Sequence, residues 1–574
     1  MSDRLLRRSS LIMPFGVGAI VNFPGDESLM TAGLDAWPFA TEKCPSEFRI
    51  EEERLRRRLG MELRLPPDYR IPKEGVQHAN LRIPFVRFPR WHYCPLCGSM
   101  EELGLFGERQ YCNGHPFFEG ASRREKLSAK RTRMIPVRFI AVCERGHIQD
   151  FPFLEWVHQG VPVTPECRII RLRAGGASAS LGGIRIECTC GQKRTLSGSF
   201  AEDALEKSGI LCRGERPWLG DTDGDVSRCG LPLRAVQRGA SNVYFPYVVS
   251  SIYLPPSRKQ QESGRSPVRS AEAKEDFHAE EEEYRRAEYR VLREEPGDAD
   301  TDLYTTIRMS GEYDRVVAQF FSRITLVHKL RETRAFCGFS RYRPEDGRSL
   351  RERIEDLRRN PDIRWLPATV VRGEGLFFEL DFARVAAWRE GNRSMMERYV
   401  PLEERYQRTL VERGRSPRPI LPEFVLIHTL AHLLIARLSY ECGYGSASLR
   451  ERLYCGTSRT GEPMLGFLIY TASGDSEGTM GGLVRQGLPG RIEPVLLRAL
   501  QRATWCSYDP TCMESQGQGP DSCNLAACHG CAILSETSCE NGNRLLDRAM
   551  VVGLPEDPAA GLFGTFLAEI TGGL

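Results

Sequence analysis

Chemistry in this chain is concentrated in cysteine and histidine. Six of the nineteen cysteines fall between residues 503 and 554. Cys528, Cys531 and Cys539 stand there in a Cys-x2-Cys-x7-Cys array that one tetrahedral ion gathers once an upstream thiolate joins them. Cys512 is the nearer candidate for that place and Cys506 the alternative, with Cys523 and His529 also in range. Four protein ligands leave no open coordination position, so the expected ion is a structural zinc that does not activate water. Burial as small hydrophobes is the plainer account of cysteine in general, but a pair two residues apart with a third close behind asks for a shared ion.

The first half carries more of the same chemistry. Cys94-x2-Cys97 followed by Cys112-x2-His115 has the two-knuckle spacing of a zinc ribbon. Cys143-x3-His147 with His158 and Cys167 is a candidate set of two thiolates and two imidazoles, and Cys188-x-Cys190 with Cys212 and Cys229 a candidate four-thiolate set. Two zinc ions between residues 94 and 229 are expected. Beside the first knuckles lies "SRREKLSAKRTRM", residues 122–134, with six basic residues against one acidic. Arg123, Arg124, Arg131 and Arg133 are its candidate phosphate contacts, a solvated surface loop being the bland account.

A pair of histidines invites a hydrolytic reading. His428 and His432 stand at i and i+4 in "FVLIHTLAHLLIARL", on one helix face, as in zinc proteases. Thr429 occupies the place of the general-base glutamate and the flanks are apolar, so buried, hydrogen-bonded core histidines are expected. Downstream, "MLGFLIYTASGDSEGTMGGLV" (464–484) predicts a strand, a glycine-rich loop and a helix. Such a loop can cradle phosphate on backbone N–H groups, but Asp475 and Glu477 make it acidic.

These residues need a multidomain scaffold. A chain of 574 residues exceeds one core. The expected fold class is α+β, multidomain, with a zinc-ribbon-like N-terminal half and an α/β C-terminal module closed by a four-cysteine zinc site. The expected blocks are 1–90, a cysteine-rich domain over 91–256, a charged linker or exposed helical arm over 257–302, an α/β domain over 303–500, and a zinc module over 501–574. The pattern predicts a helix over 47–63, another over "RVVAQFFSRITLVHKLRET" (315–333), and strand, turn, strand over "RWLPATVVRGEGLFFELDF" (364–382). The net charge of +3 gives no global argument for nucleic acid. The nine lysines leave arginine to carry nearly all positive charge. "MSDRLLRRSS" leads into no apolar stretch of signal-peptide length and no run spans a bilayer. Short-spaced cysteine pairs then read as metal ligands in a reducing, cytoplasmic setting.

The run "AACHGCAILSETSCENGNRLLDRA" resembles the C-terminal zinc-binding module of MrfA-type DNA helicases, at Cys528, Cys531, Cys539, Asn543, Leu546, Asp547 and Arg548. Over most of its length the chain resembles the DrmB family of DISARM anti-phage systems. The landmarks include "LRRSSLIMPFGVGAIVNF" (5–22), "FPRWHYCPLCG" (88–98), "AVCERGHIQDFPF" (141–153), "RGASNVYFP" (238–246), "VHKLRETRAFCGFSR" (327–341), "VRGEGLFFEL" (371–380) and "HTLAHLLIARLSYECGYGSASLRERLY" (428–454). The resemblance implies zinc as cofactor, a DrmA-like ATP-dependent helicase as partner, DNA as target and a DNA methyltransferase in the same system. The chain has no Gly-Lys dipeptide and hence no P-loop. A division of labour is therefore expected, with the motor on another chain and this one a non-catalytic, zinc-stabilised DNA platform. The alternatives are a metal-dependent nuclease or hydrolase built on His428, His432, Asp475 and Glu477, and a purely structural bridge.

Overall fold

The computed structural model describes residues 6–68, 70, 73–112, 132–174, 181–221, 229–255, 277–294, 297–344, 347–445, 447–456, 462–471 and 481–572. The fold is α+β and multidomain. It divides into one unit of Met1–Val249 with Arg334–Thr369, and a second of Ser250–Thr333 with Val370–Leu574. These units do not follow the blocks expected from composition, because strands far apart in sequence pair within each.

The first unit is built from short antiparallel strands. Ile20–Phe23, Glu27–Thr31 and Phe85–Arg87 form one three-stranded sheet, and Met100–Glu102, Trp91–Tyr93 and Ile135–Pro136 another. Two more matter for the metal ligands. Phe139–Val142 lies between Ile148–Asp150 and Arg234–Gln237, and Ile184–Cys188 lies between Ile169–Ala174 and Lys193–Thr195. The helix expected over 47–63 is confined to Glu53–Leu59, where Gly60 ends it in the left-handed conformation and short strands flank it.

Several sequence landmarks of this unit converge on one buried side chain. The Arg341 guanidinium donates to the carbonyls of Gly18, Val243 and Gly146 at 2.7, 3.0 and 2.9 Å. It lies against the rings of Trp218, Tyr244 and Phe339. Burial pushes Arg341 down to about 9. Gly18 has φ +79°, and a Cβ there would meet the Phe339 ring at 2.8 Å, so glycine is required by both backbone and space.

The second unit centres on one sheet and one helix. Leu303–Met309 pairs antiparallel with Arg323–Leu330, Gly375–Glu379 with Gly466–Tyr470, and Leu449–Gly456 with Met464–Thr471. The helix expected over 315–333 stops at Phe320, and a strand runs from Phe321 to Ser340. Its β-branched and aromatic residues favour the pleated surface over a helix. The turn expected within 364–382 is absent, since strand Trp365–Leu380 is continuous through Gly373 and Gly375. Those glycines instead permit close strand approach, a Cβ on Gly373 meeting the Thr471 carbonyl at 2.4 Å.

Helix Pro422–Cys442 is buried on nearly every side from Val425 to Ile435, which explains its predominantly apolar sequence there. Proline opens it and Gly443, at φ 71°, closes it. The segment expected as a linker or exposed arm contains helix Phe277–Glu294, with Glu288, Tyr289, Val291 and Leu292 buried. Its charges are partnered: Arg452 holds Glu288 in a two-pronged ion pair at 2.6 and 2.8 Å, joined by the Tyr454 hydroxyl. Among the described residues no helix is long and apolar enough to cross a membrane.

Candidate metal centres

Among the described residues, four groups of four ligand atoms and one of three come together, the atoms of each within 4.8 Å of one another. Sulfurs at the corners of a zinc tetrahedron with bonds of about 2.3 Å sit about 3.8 Å apart, so such gatherings already have the dimensions of an ion site.

In the C-terminal segment the set is Cys506, Cys512, Cys528 and Cys531. Cys506 and Cys528 lie 3.5 Å apart, Cys512 and Cys531 3.8 Å, and Cys528 and Cys531 3.7 Å. Both upstream candidates join, and Cys539, expected third in the array, does not. Backbone N–H groups of Cys531's own knuckle point at sulfur, Cys528 N to Cys531 Sγ at 3.2 Å and Gly530 N to Cys528 Sγ at 3.3 Å. Such donors stabilise thiolate. Arg548, fully buried, donates to the Ala503 carbonyl at 2.8 Å and pairs with Asp509, whose carboxylate receives the Cys506 and Met513 N–H groups. Asp547 accepts both prongs of Arg398 at 2.9 and 3.0 Å, while its N–H donates to Thr429 on the histidine helix at 3.0 Å. Cys523 lies elsewhere, 3.8 Å from Thr409.

The two middle sets exchange ligands relative to expectation. Cys143 and His147 meet Cys212 and Cys229; His158 and Cys167 meet Cys188 and Cys190. Sheet register is the cause. Pairing of Arg234 with Val142 carries the segment after Cys229 alongside Cys143, and pairing of Ile169 with Cys188 sets Cys167 beside the Cys188 hairpin. His147 Nδ1 is 3.4 Å from Cys143 Sγ, and His158 Nε2 is 3.3 Å from Cys190 Sγ. His158 Nδ1 donates to the Leu154 carbonyl at 2.6 Å, which fixes the tautomer that frees Nε2 for an ion.

The third set holds Cys94, Cys97 and Cys112, with Cys97 and Cys112 at 3.8 Å. His115 lies outside the described residues, as do Arg123, Arg124, Arg131, Asp475 and Glu477. Three groups thus form between residues 94 and 229 where two ions were expected. Gly98 closes the first knuckle at φ +75°, with a Cβ there only 2.2 Å from the Leu172 carbonyl. Burial pushes the Cys97 thiol up and that of Cys112 up to about 12. A hydrogen bond from Cys212 holds Cys143 at about 4, with the Cys212 thiol raised in turn. An ion entering these sets displaces protons, so its hold weakens as pH falls.

The fifth group is one that sequence spacing does not suggest: His428, His432, Glu451 and Cys539. The two histidines are buried as expected; Glu451 is the residue sequence reasoning missed, and Cys539, expected in the four-cysteine set, stands here instead. Cys539 leaves the cysteine array because its neighbours dock on strand Leu449–Gly456: Glu451 N donates to the Ser538 carbonyl, and Glu540 N to the Glu451 carboxylate, each at 3.0 Å. Burial pushes His428 below the ordinary imidazole range.

Arg133, a candidate phosphate contact, and the N–H groups that follow the glycine-rich loop are otherwise engaged. Arg133 donates to the Gly25 carbonyl at 2.6 Å and pairs with Glu27 at 3.3 Å. The N–H groups of Gly481 and Leu483, where a phosphate loop would bind its ligand, donate to buried Glu374 at 2.7 and 2.9 Å. By contrast Trp505 and Tyr508, flanking Cys506, are 61% and 64% exposed, and the Arg502 guanidinium stands over the Trp505 ring.

Comparison with known proteins finds two family matches and a relative. Residues 430–532 match the MrfA Zn-binding domain family, and residues 7–245 match a domain of unknown function, DUF8724. A relative from Bacillus paralicheniformis, "DISARM protein DrmB", is 31% identical over 543 residues, covering 85% of this chain and 92% of the relative.

Proposed function

This chain belongs to the DrmB family of DISARM proteins, and from that premise we propose that it serves anti-phage defence as a non-catalytic subunit. It docks on a DrmA-like ATP-dependent helicase in the cytoplasm and offers DNA a zinc-stabilised platform. The observation that carries the reading is the closed Cys506, Cys512, Cys528 and Cys531 set, within the segment that matches the MrfA Zn-binding domain, in a chain without a Gly-Lys dipeptide. A four-thiolate ion holds a surface in shape and has no position left for a reacting water. The motor chemistry of MrfA-type helicases then falls to a partner chain.

Trp505 and Tyr508 favour DNA over a protein-only bridge. Exposed aromatic rings beside an arginine provide stacking for unpaired bases, worth about 1–3 kcal/mol each. The chain's near-neutral charge makes its own affinity weak, and a groove completed by the helicase raises the effective concentration for the strand. The hydrolase alternative is disfavoured because His428 and His432 are fully buried and the N–H groups of Gly481 and Leu483 donate to Glu374.

The test is co-expression with the helicase of the same system. The expected outcome is a stable complex that binds single-stranded DNA more tightly than either chain. The lone chain should hydrolyse neither ATP nor DNA. Failure to co-purify, or metal-dependent DNA cleavage by the lone chain, would overturn the proposal.

A further inference from the structure

The residues gathered around Glu451 form an arrangement that hydrogen bonding alone does not explain. His428 Nε2 lies 3.2 Å from Cys539 Sγ and 3.1 Å from Glu451 Oε1, and His432 Nε2 lies 3.5 Å from the same oxygen. His432 Nδ1 is 2.7 Å from the Ala532 carbonyl. A carbonyl only accepts, so the proton of a neutral ring sits on Nδ1 and the bare Nε2 lone pair faces a carboxylate. Two acceptors are thus aimed at each other where water cannot separate them. Neither His432 Nε2 nor Glu451 Oε2 finds a hydrogen bond among the described residues. The exposures are 0% for both histidines, 1% for Glu451 and 7% for Cys539.

The surroundings are those of a prepared ion site. Cys539 Sγ receives the backbone N–H groups of Asn541 and Asn543 at 3.3 and 3.2 Å, which stabilise a thiolate. Glu451 Oε1 receives Glu540 N at 3.0 Å, and the Ala532 contact fixes the His432 tautomer. We propose that His428, His432, Glu451 and Cys539 hold a second, wholly internal zinc ion in the C-terminal unit, separate from the four-thiolate site. Two neutral imidazoles, one carboxylate and one thiolate balance a divalent cation to zero net charge, the state a buried site tolerates best. Two protonated histidines would instead place two cations, with ring centroids 4.6 Å apart, against one carboxylate.

Zinc fits the donor set better than magnesium or calcium, which take oxygen ligands. Four protein ligands at a dry position leave no place for substrate, so the ion is structural. It joins helix Pro422–Cys442, strand Leu449–Gly456 and the Cys539 turn, three segments with no covalent link closer than the chain itself. His428 and Cys539 are 111 positions apart, so the ion closes a long loop. The i, i+4 histidine pair therefore serves architecture, and its ligand identity became visible only with Glu451 and Cys539 in place.

The experiment is anomalous diffraction from crystals of the full chain above and below the zinc edge, with zinc quantified on the same sample. The expected result is a zinc peak about 2.0–2.3 Å from His428 Nε2, His432 Nε2, Glu451 and Cys539 Sγ. Cys539→Ser should lose one zinc per chain while the peak among Cys506, Cys512, Cys528 and Cys531 persists. If that variant is insoluble, the wild-type map alone decides. Zinc at the four-thiolate set with none at the buried set, or full zinc content in folded Cys539→Ser, would overturn the proposal.

Discussion

Single atoms decide most at the knuckles. Cys531→Ser removes one of four sulfurs from the C-terminal set and leaves the others without an ion to share. Because binding of structural zinc is folding free energy, on the order of 10 kcal/mol or more, the expected outcome is one zinc fewer per chain and a protease-sensitive C-terminal segment. Elemental analysis and limited proteolysis check both. Arg341 is the corresponding residue of the first unit. Arg341→Ala leaves three buried carbonyls without their donor and should destabilise that unit by roughly 3 kcal/mol or more in urea denaturation. Arg341→Lys should recover only part of this, since an ammonium lacks the planar fork. A midpoint unchanged in Arg341→Ala would show that the guanidinium does not hold those loops.

Among elements, helix Phe277–Glu294 shows how a charged sequence becomes structure. Seen alone it has too few apolar residues to order itself. The Glu288 pair with Arg452 and the buried Tyr289 and Leu292 give it a fixed seat in the second unit. Glu288→Gln, which leaves buried Arg452 only the more distant Glu540 carboxylate at 3.8 Å, should lower stability by about 3 kcal/mol, whereas Glu288→Leu with Arg452→Met should cost far less. Equal loss in both, read by thermal unfolding, would contradict this account. Of the basic stretch 122–134, only residues 132–134 lie among the described residues. Neutralising Arg123, Arg124 and Arg131 should flatten the salt dependence of DNA binding in the helicase complex without altering sequence preference. Arg133→Ala should instead lower stability, because that side chain is committed to Gly25 and Glu27.

For the whole molecule the zinc content is the sharpest number. One ion in each of the three cysteine-rich groups with four members and one in the proposed His428 group predict four zinc ions per chain, with a fifth where the spacing expects His115 to complete the Cys94 group. Protein purified without chelators and holding less than one zinc per chain would sink the assignment of these groups as structural staples. In the proposed complex with a helicase, Trp505→Ala with Tyr508→Ala should weaken single-stranded DNA binding by tenfold or more, from about 1–3 kcal/mol per stacked base, with zinc content unchanged. Unchanged affinity would move the DNA path to the partner.

What the sequence determined by itself is local. Ligands two to four residues apart are held by one turn, so Cys94 and Cys97, Cys143 and His147, and Cys528 and Cys531 were legible as half-sites before any fold was known. The buried, apolar character of helix Pro422–Cys442 and the absence of a P-loop were legible for the same reason. The tertiary structure alone decided which half-sites meet. Register between distant strands gave Cys143 to Cys212 and Cys167 to Cys188, and a docked turn took Cys539 to the histidines. Spacing along a chain constrains only what a single turn spans. Partners many tens of residues away are chosen by hydrogen-bond register and core packing, which a shift of one residue would rewrite.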